Sequence, residues 1–102
     1  MMQNNKFLSL LGMARKANRV SLGYDKSLEA VHNCKASVVF IANDISEKTK
    51  RGLVFASEET GVEIISVEYS IFDFTNALGT KTGIVSINDN GFAKKLVSLL
   101  QV

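Results

Sequence analysis

The chain has little of what most enzymes and extracellular proteins rely on. Its 102 residues contain one cysteine, Cys34, one histidine, His32, and neither proline nor tryptophan. A single cysteine excludes an internal disulfide and a zinc site built from several cysteines. No apolar run approaches the roughly 20 residues that a membrane-spanning helix needs. We therefore expect a cytoplasmic protein that uses no metal and no cofactor.

The same scarcity argues against catalysis. A nucleophilic enzyme needs a base beside its nucleophile, but His32 and Cys34 are two residues apart at the end of one predicted helix. We interpret Cys34 as a buried or half-buried packing residue and His32 as a surface residue. Glu58 and Glu59 are typical of a solvated helix face, and no pattern brings two carboxylates into one cleft. The sequence predicts a protein that is not an enzyme.

Helical and strand patterns alternate along the chain, which has the length and the 46% hydrophobic content of one globular domain, residues 1–102. The patterns predict helices over 5–16, 24–32, 46–60, 71–78 and from 89 or 90 onward. They predict extended segments over 19–22, 37–42, 62–67 and 84–87. This order favours an α/β fold with helices on both faces of a small, mixed, mostly parallel sheet of about four strands.

Charge is unevenly distributed, although the net charge is only +2. Residues 1–22 carry bases and no acid, whereas residues 53–80 carry acids and no base. A polyanion bound on one face would suit this layout. Arg15, Lys16 and Arg19 are suited to sequence-independent attraction of phosphates. An exposed helix end, where cations stabilise the helix dipole, is an equally good interpretation of these three residues.

The predicted helix over 24–32 begins directly after a glycine, Gly23. A helix start exposes unpaired N–H groups, so the backbone of Gly23 and Tyr24, together with Lys26, is suited to phosphate. Asp25 is an acceptor for donors on a base, and the Tyr24 ring is suited to packing on one. The competing interpretation is a simple turn with Asp25 as a helix cap, and spacing alone favours it.

Two later segments are expected to join this helix start at one edge of the sheet. Residues 43–45 follow the most hydrophobic strand, and the small, polar, basic run 79–83 leads into the last strand. Asp44 is a second acceptor, Ile45 is suited to packing on an unstacked base, and Lys81 supplies a cation. The run 79–83 has the composition of a phosphate loop, but it precedes a strand instead of a helix.

Four segments follow the pattern of a known family: Val-Ser-Leu-Gly-Tyr-Asp-Lys-Ser-Leu-Glu at 20–29, Val-Val-Phe-Ile-Ala-Asn-Asp-Ile-Ser at 38–46, Ala-Leu-Gly-Thr-Lys at 77–81 and Asn-Gly-Phe-Ala-Lys-Lys-Leu at 90–96. From Phe7 to Leu100 the chain resembles the L7Ae/L30e superfamily of ribosomal and kink-turn RNA-binding proteins, in its short bacterial YlxQ-like branch. The resemblance implies a three-layer α/β/α sandwich. It also implies a non-enzymatic, ribosome-associated monomer whose partners are structured RNA, of the kink-turn or a similar class, and ribosomal proteins.

The resemblance also implies which residues line the RNA groove. The set also includes two nearby basic residues and position 29, where this chain differs from the family pattern. The expected RNA-binding residues are Lys16, Arg19, Gly23, Tyr24, Asp25, Lys26, Glu29, Asp44, Ile45, Gly79, Thr80, Lys81 and Thr82. The family pattern has Asn, Glu and Lys where this chain has Asp25, Lys26 and Glu29. An ionised Asp25 accepts hydrogen bonds but donates none. These departures motivate an alternative, a protein-interaction module with the same fold that has lost kink-turn recognition.

Overall fold

Residues 5–100, which the computed structural model describes, form five helices and four strands in alternation. The elements are α1 (Lys6–Lys16), β1 (Val20–Leu22), α2 (Tyr24–His32), β2 (Val38–Ile41), α3 (Glu47–Thr60), β3 (Glu63–Ser66), α4 (Ile71–Leu78), β4 (Ile84–Ile87) and α5 (Asn90–Ser98). The sequence predicted the bounds of α2, α4 and β4 as observed. None of these helices combines the length and the apolarity that crossing a membrane requires.

Side-chain caps fix where most of the helices begin. The N-cap side chain accepts a hydrogen bond from the backbone N–H three residues further on, and the residues that do so are Asn5, Ser46, Ser70 and Asp89. At α4 the carboxylate of Asp73 also accepts from the N–H of Ser70, which completes a capping box. Within residues 5–100, α2 is the helix that starts without a side-chain cap.

The four strands form one mixed sheet in the order β1-β4-β2-β3. Only β2 and β3 are parallel, whereas β4 runs antiparallel to both of its neighbours, β1 and β2. The prediction of a mostly parallel sheet is therefore wrong. The reason is that α4 does not carry the chain back along the sheet: a Cβ added at Gly83, just before β4, would lie 2.7 Å from Cγ1 of Ile71, where α4 begins. The chain enters β4 from the edge at which β3 ended.

Helices cover both faces of the sheet, as predicted, and the fold is a three-layer α/β/α sandwich. Side chains alternate along β2: Val38 and Phe40 pack with α1, α4 and α5, whereas Val39 and Ile41 pack with α2 and α3. Phe40 is fully buried and meets Phe7 edge to face, with 5.1 Å between the ring centroids. Burial on both faces explains why the sequence of β2 is continuously apolar.

The structure corrects the expectation for Cys34, whose side chain is exposed and not buried. Its φ is 59°, and its N–H donates to the carbonyl of Val31 at 3.1 Å. The chain therefore turns tightly after α2, and this turn directs the cysteine to solvent. His32 is exposed, as expected.

Candidate nucleic-acid interface

Strand direction brings the three predicted segments together. Because β4 runs opposite to the other strands, the carboxyl ends of β1, β2 and β3 meet its amino end at one edge of the sheet. The N–H of Gly23 donates to the carbonyl of Ile84 at 2.9 Å, and the N–H of Ala42 donates to the carbonyl of Gly83 at 2.8 Å. We call this edge the rim. It comprises residues 23–26, 43–45 and 79–83.

The start of α2 offers free backbone donors to the rim. Gly23 has φ 89° and ψ 172°, and no side chain caps the helix. The first backward hydrogen bond of the helix runs from the N–H of Ser27 to the carbonyl of Gly23 at 3.1 Å. The N–H groups of residues 24–26 therefore have no acceptor within the helix. A Cβ added at Gly23 meets no atom within 4 Å, so the space in front of the turn is open to an anion.

The side chain of Tyr24 is used for packing. It is half-buried against the cluster between α2, α3 and the sheet. Its hydroxyl reaches α3 at Gly52, where an added Cβ would collide with it. Asp25 and Lys26, in contrast, are exposed in the first turn of the helix. At this helix start the rim is therefore lined by the backbone of Tyr24 and by the side chains of Asp25 and Lys26.

Two side chains fix residues 43–45 in place, one through α4 and one through the loop before β4. Asp44 is exposed, and its Oδ1 accepts a hydrogen bond from the N–H of Ile71 at 2.9 Å. Ile45 is half-buried and packs against the hydrophobic clusters on both faces of the sheet. A Cβ added at Gly83 would lie 2.7 Å from Cδ1 of Ile45, so the glycine makes room for this side chain. Asp44 thus links α4 to the rim, and Ile45 is its apolar centre.

The loop before β4 is ordered by Thr82. The hydroxyl of Thr82 donates to the carbonyl of Ile84 at 3.0 Å and accepts from the N–H of the same residue at 3.2 Å. The carbonyl of Ile84 also accepts from Gly23, so the loop and the start of α2 share one acceptor. Thr80 and Lys81 are exposed at the tip of the loop. Lys81 therefore presents its charge on the same edge as Lys26.

Arg15 adds a positive charge that the sequence did not assign to the loop. One guanidinium nitrogen, Nη1, donates to the carbonyl of Leu78 at the end of α4. A Cβ added at Gly79 would lie 3.3 Å from that nitrogen. The position of Arg15 stabilises the carboxyl end of α4 and places a cation beside residues 79–83. No local pattern reveals a contact between residues 63 positions apart, so the predicted RNA-binding residues included Lys16 and left out Arg15.

Three predicted residues lie outside the rim. Arg19 precedes β1 at the opposite end of that strand from Gly23, and its carbonyl accepts from the N–H of Asn88, which follows β4, at 2.8 Å. Lys16 is exposed at the end of α1 and borders a shallow groove of about 990 Å³ between α1 and α4 that reaches Gly79. Glu29 is exposed on α2, about one turn beyond the helix start.

A buried polar network below the rim also escaped sequence reasoning. Ser27 and Ser86 are fully buried. Ser27 donates to the carbonyl of Ser21 at 3.2 Å, Asn88 donates its amide to the hydroxyl of Ser21 at 2.9 Å, and Ser86 donates to Oδ1 of Asn88 at 2.6 Å. These bonds attach α2 to β1 and, through Asn88, β1 to β4. The available signal was a serine in the middle of the otherwise apolar β4.

The groups on the rim are chemically suited to a polyanion that also exposes bases. It offers backbone N–H groups and two lysines to phosphates, and the carboxylates of Asp25 and Asp44 to the amino groups of bases. Among residues 5–100 no group of three histidine, cysteine, aspartate or glutamate side chains is arranged to hold a metal ion. The donors and acceptors that the rim does present are suited to hydrogen bonds and to charge attraction.

Known proteins resemble this chain in sequence over nearly its whole length. The sequence model of the ribosomal protein L7Ae/L30e/S12e/Gadd45 family matches residues 5–97. RNA-binding protein YlxQ of Enterococcus faecium is 33% identical over 96 residues, which cover 94% of this chain and 92% of that protein. RNA-binding protein YlxQ of Bacillus subtilis (strain 168) is 29% identical over 104 residues, covering 97% and 99%.

A solved structure has the same fold as this chain. A protein with unknown function from Bacillus halodurans C superposes with a TM-score of 0.90 at 26% identity, covering 97% of this chain and 100% of that chain. The match therefore extends over both chains almost from end to end. The chain belongs to the ribosomal protein L7Ae/L30e/S12e/Gadd45 family, in its YlxQ-like branch.

Proposed function

We propose that this protein binds structured RNA at the rim and catalyses no reaction. The observation that carries the proposal is the meeting of three separate segments at one edge of the sheet, with an uncapped helix start among them. Two relatives that match over more than nine-tenths of this chain are named RNA-binding proteins. Both support RNA as the partner.

A sharply bent RNA suits the rim better than a straight duplex does. A bend crowds phosphates and exposes unstacked bases, and irregular RNA is recognised mainly through such features. The N–H groups of residues 24–26, together with Lys26 and Lys81, bind the phosphates. Asp25 and Asp44 accept hydrogen bonds from base amino groups, and Ile45 packs on a base. The charge of Arg15 makes the electrostatic potential beside residues 79–83 more positive.

The RNA we infer is of the kink-turn class. At the helix start this chain pairs an acceptor, Asp25, with a cation, Lys26, in place of the Asn and Glu of the family pattern. In this pairing the carboxylate reads the amino groups of bases and Lys26 neutralises phosphate beside it. The protein acts as a single-domain monomer in the cytoplasm. Its RNA is ribosomal or similarly folded, which the ribosomal proteins in the name of the family support.

Filter binding to a kink-turn RNA and to ribosomal RNA fragments, repeated at increasing salt, tests the proposal. Lys26→Ala and Lys81→Ala should each weaken binding and lower the slope of log K against log salt by about 0.7 to 0.9, which corresponds to one phosphate contact. Lys94→Ala, an exposed substitution on α5, is the matched control and should change neither quantity. Equal behaviour of the three variants, or binding that ignores salt, would refute the assignment of the rim.

A second function, a protein-interaction module, is favoured by one observation. On α3, Phe55 is 72% exposed and Val54 is 38% exposed. An apolar pair on a helix surface is compatible with a protein partner. Affinity capture with and without nuclease separates the two functions, because partners held through RNA are lost after nuclease and directly bound proteins are retained. Retention after nuclease that depends on Phe55 would support the second function.

A further inference from the structure

Phe72 is a large apolar side chain in an unexpected place. It is 71% exposed in the first turn of α4, although Phe74 and Leu78 on the same helix are buried. Successive residues of an α-helix are about 100° apart, so Phe72 lies on the side of α4 opposite Phe74 and points away from the sheet. A single exposed aromatic ring is common on protein surfaces and is not informative by itself. Its position relative to the rim is informative.

The first turn of α4 is attached to the rim. The N–H of Ile71, the residue before Phe72, donates to Oδ1 of Asp44 at 2.9 Å. The side chain of Ile71 also lies against Gly83, where an added Cβ would be 2.7 Å from its Cγ1. Phe72 therefore directly follows a residue that contacts two of the three rim segments. Because α4 and α2 cover opposite faces of the sheet, Phe72 lies on the other side of the rim from Lys26.

The charge around Phe72 selects against phosphate. Asp44 contacts the residue that precedes Phe72, and Asp73 follows it, with its carboxylate engaged at the N–H of Ser70 at 3.0 Å. Two carboxylates repel phosphates but tolerate the uncharged face of a base, and Asp44 can accept from its amino group. The lysines lie in the other two rim segments, which leaves them to the RNA backbone.

We propose that Phe72 is a stacking platform for an unpaired base of the RNA that is bound at the rim. The inference rests on the proposed function, since it requires RNA at this edge. A kinked RNA expels bases from its stack, and an exposed aromatic ring binds such a base with little dependence on its sequence. The platform contributes affinity through the base and makes no contact with phosphate.

The chain contains no tryptophan, so Phe72→Trp introduces a single indole as a reporter. The probe is a kink-turn RNA with 2-aminopurine at one unpaired position at a time. Stacking quenches the fluorescence of both the indole and the aminopurine, and we expect this mutual quenching at one unpaired position. Phe55→Trp, on α3 and equally exposed at 72%, is the matched control and should show no quenching of its partner.

Substitution gives an independent test. Phe72→Ala should weaken binding of the same RNA about 5- to 150-fold, the range for removing one base–aromatic stack. The salt slope and the unfolding temperature should not change, and Phe72→Tyr should retain the affinity. A role in folding would lower the unfolding temperature, and a phosphate contact would lower the salt slope.

The outcomes separate this inference from the proposed function. One outcome is that wild-type protein and Phe72→Ala bind the RNA equally and that Phe72→Trp shows no quenching with 2-aminopurine at any unpaired position. The stacking platform is then wrong, while RNA binding at the rim stands. If Lys26→Ala and Lys81→Ala also bind as wild type, the rim itself is wrong. Failure of the wild-type protein to bind any kink-turn or ribosomal RNA would overturn both.

Discussion

Replacing Gly23 with alanine tests how the rim is built. The glycine has φ 89° and ψ 172°, a combination that residues with a Cβ avoid. Forcing alanine into it costs about 1–3 kcal/mol. The added Cβ meets no atom within 4 Å beyond its chain neighbours, so the cost comes from local backbone strain and not from a clash with another part of the fold. We therefore expect the free energy of unfolding to fall by about 1–3 kcal/mol.

Thermal and urea unfolding measure this loss. For a domain of this size 1 kcal/mol corresponds to about 4–8 °C in Tm. Gly61→Ala is the matched control, because Gly61 also has an empty Cβ position and a positive φ of 78°, but lies at the far end of α3. Gly61 has ψ 6°, so Gly61→Asn should recover most of the stability, since asparagine tolerates the left-handed helical region. Gly23→Asn should recover little, because ψ 172° lies outside that region.

The same pair of variants separates stability from binding. Alanine at position 23 relieves its strain by moving the first turn of α2, so the N–H groups of residues 24–26 no longer meet at the rim. At a temperature where both variants are folded, Gly23→Ala should bind kink-turn RNA more weakly than Gly61→Ala. Unchanged stability of Gly23→Ala would refute the backbone geometry. Lower stability with unchanged RNA affinity would refute the part that the helix start plays in binding.

Two further predictions concern the scaffold of the rim. Asp44→Ala removes the acceptor for the N–H of Ile71 and should lower the free energy of unfolding by about 1 kcal/mol. Asp44→Asn keeps an acceptor and should lose less stability. Equal losses of the two variants in urea unfolding would contradict the role of this bond. Phe40→Ala should cost about 3–5 kcal/mol, because the ring is fully buried under the sheet and packs against Phe7. The exposed control Phe55→Ala should stay within about 0.5 kcal/mol, and similar urea midpoints for the two phenylalanine variants would contradict the core assignment.

Local chemistry made most of the fold predictable from the sequence. Serine is a favoured N-cap residue, and Ser46 and Ser70 cap α3 and α4. Glycine commonly follows the last helical residue, and Gly61 and Gly79 do so in the same two helices. These signals act within a few residues of the chain, so they survive without knowledge of the tertiary structure.

The direction of β4 was not predictable in the same way. Alternation of helices and strands favoured a mostly parallel sheet, but α4 spans only eight residues and leaves the chain at the edge where it began. Arg19 illustrates the consequence: it is close to Gly23 in sequence, yet the intervening strand places it at the opposite edge. The bond from Arg15 to Leu78 and the bond from the Asn88 amide to Ser21 are equally non-local. Only their three-dimensional placement reveals them.

The most direct measurement is an NMR titration of isotopically labelled protein with kink-turn RNA. Amide shifts report where the RNA lies without any substitution. We expect the largest changes at residues 23–26, 44–45 and 79–82, with those at Asn18 and Gly61 near zero. Changes concentrated at the opposite edge of the sheet, or an absence of changes at the rim while RNA is bound, would contradict the assignment of the rim as the RNA-binding surface.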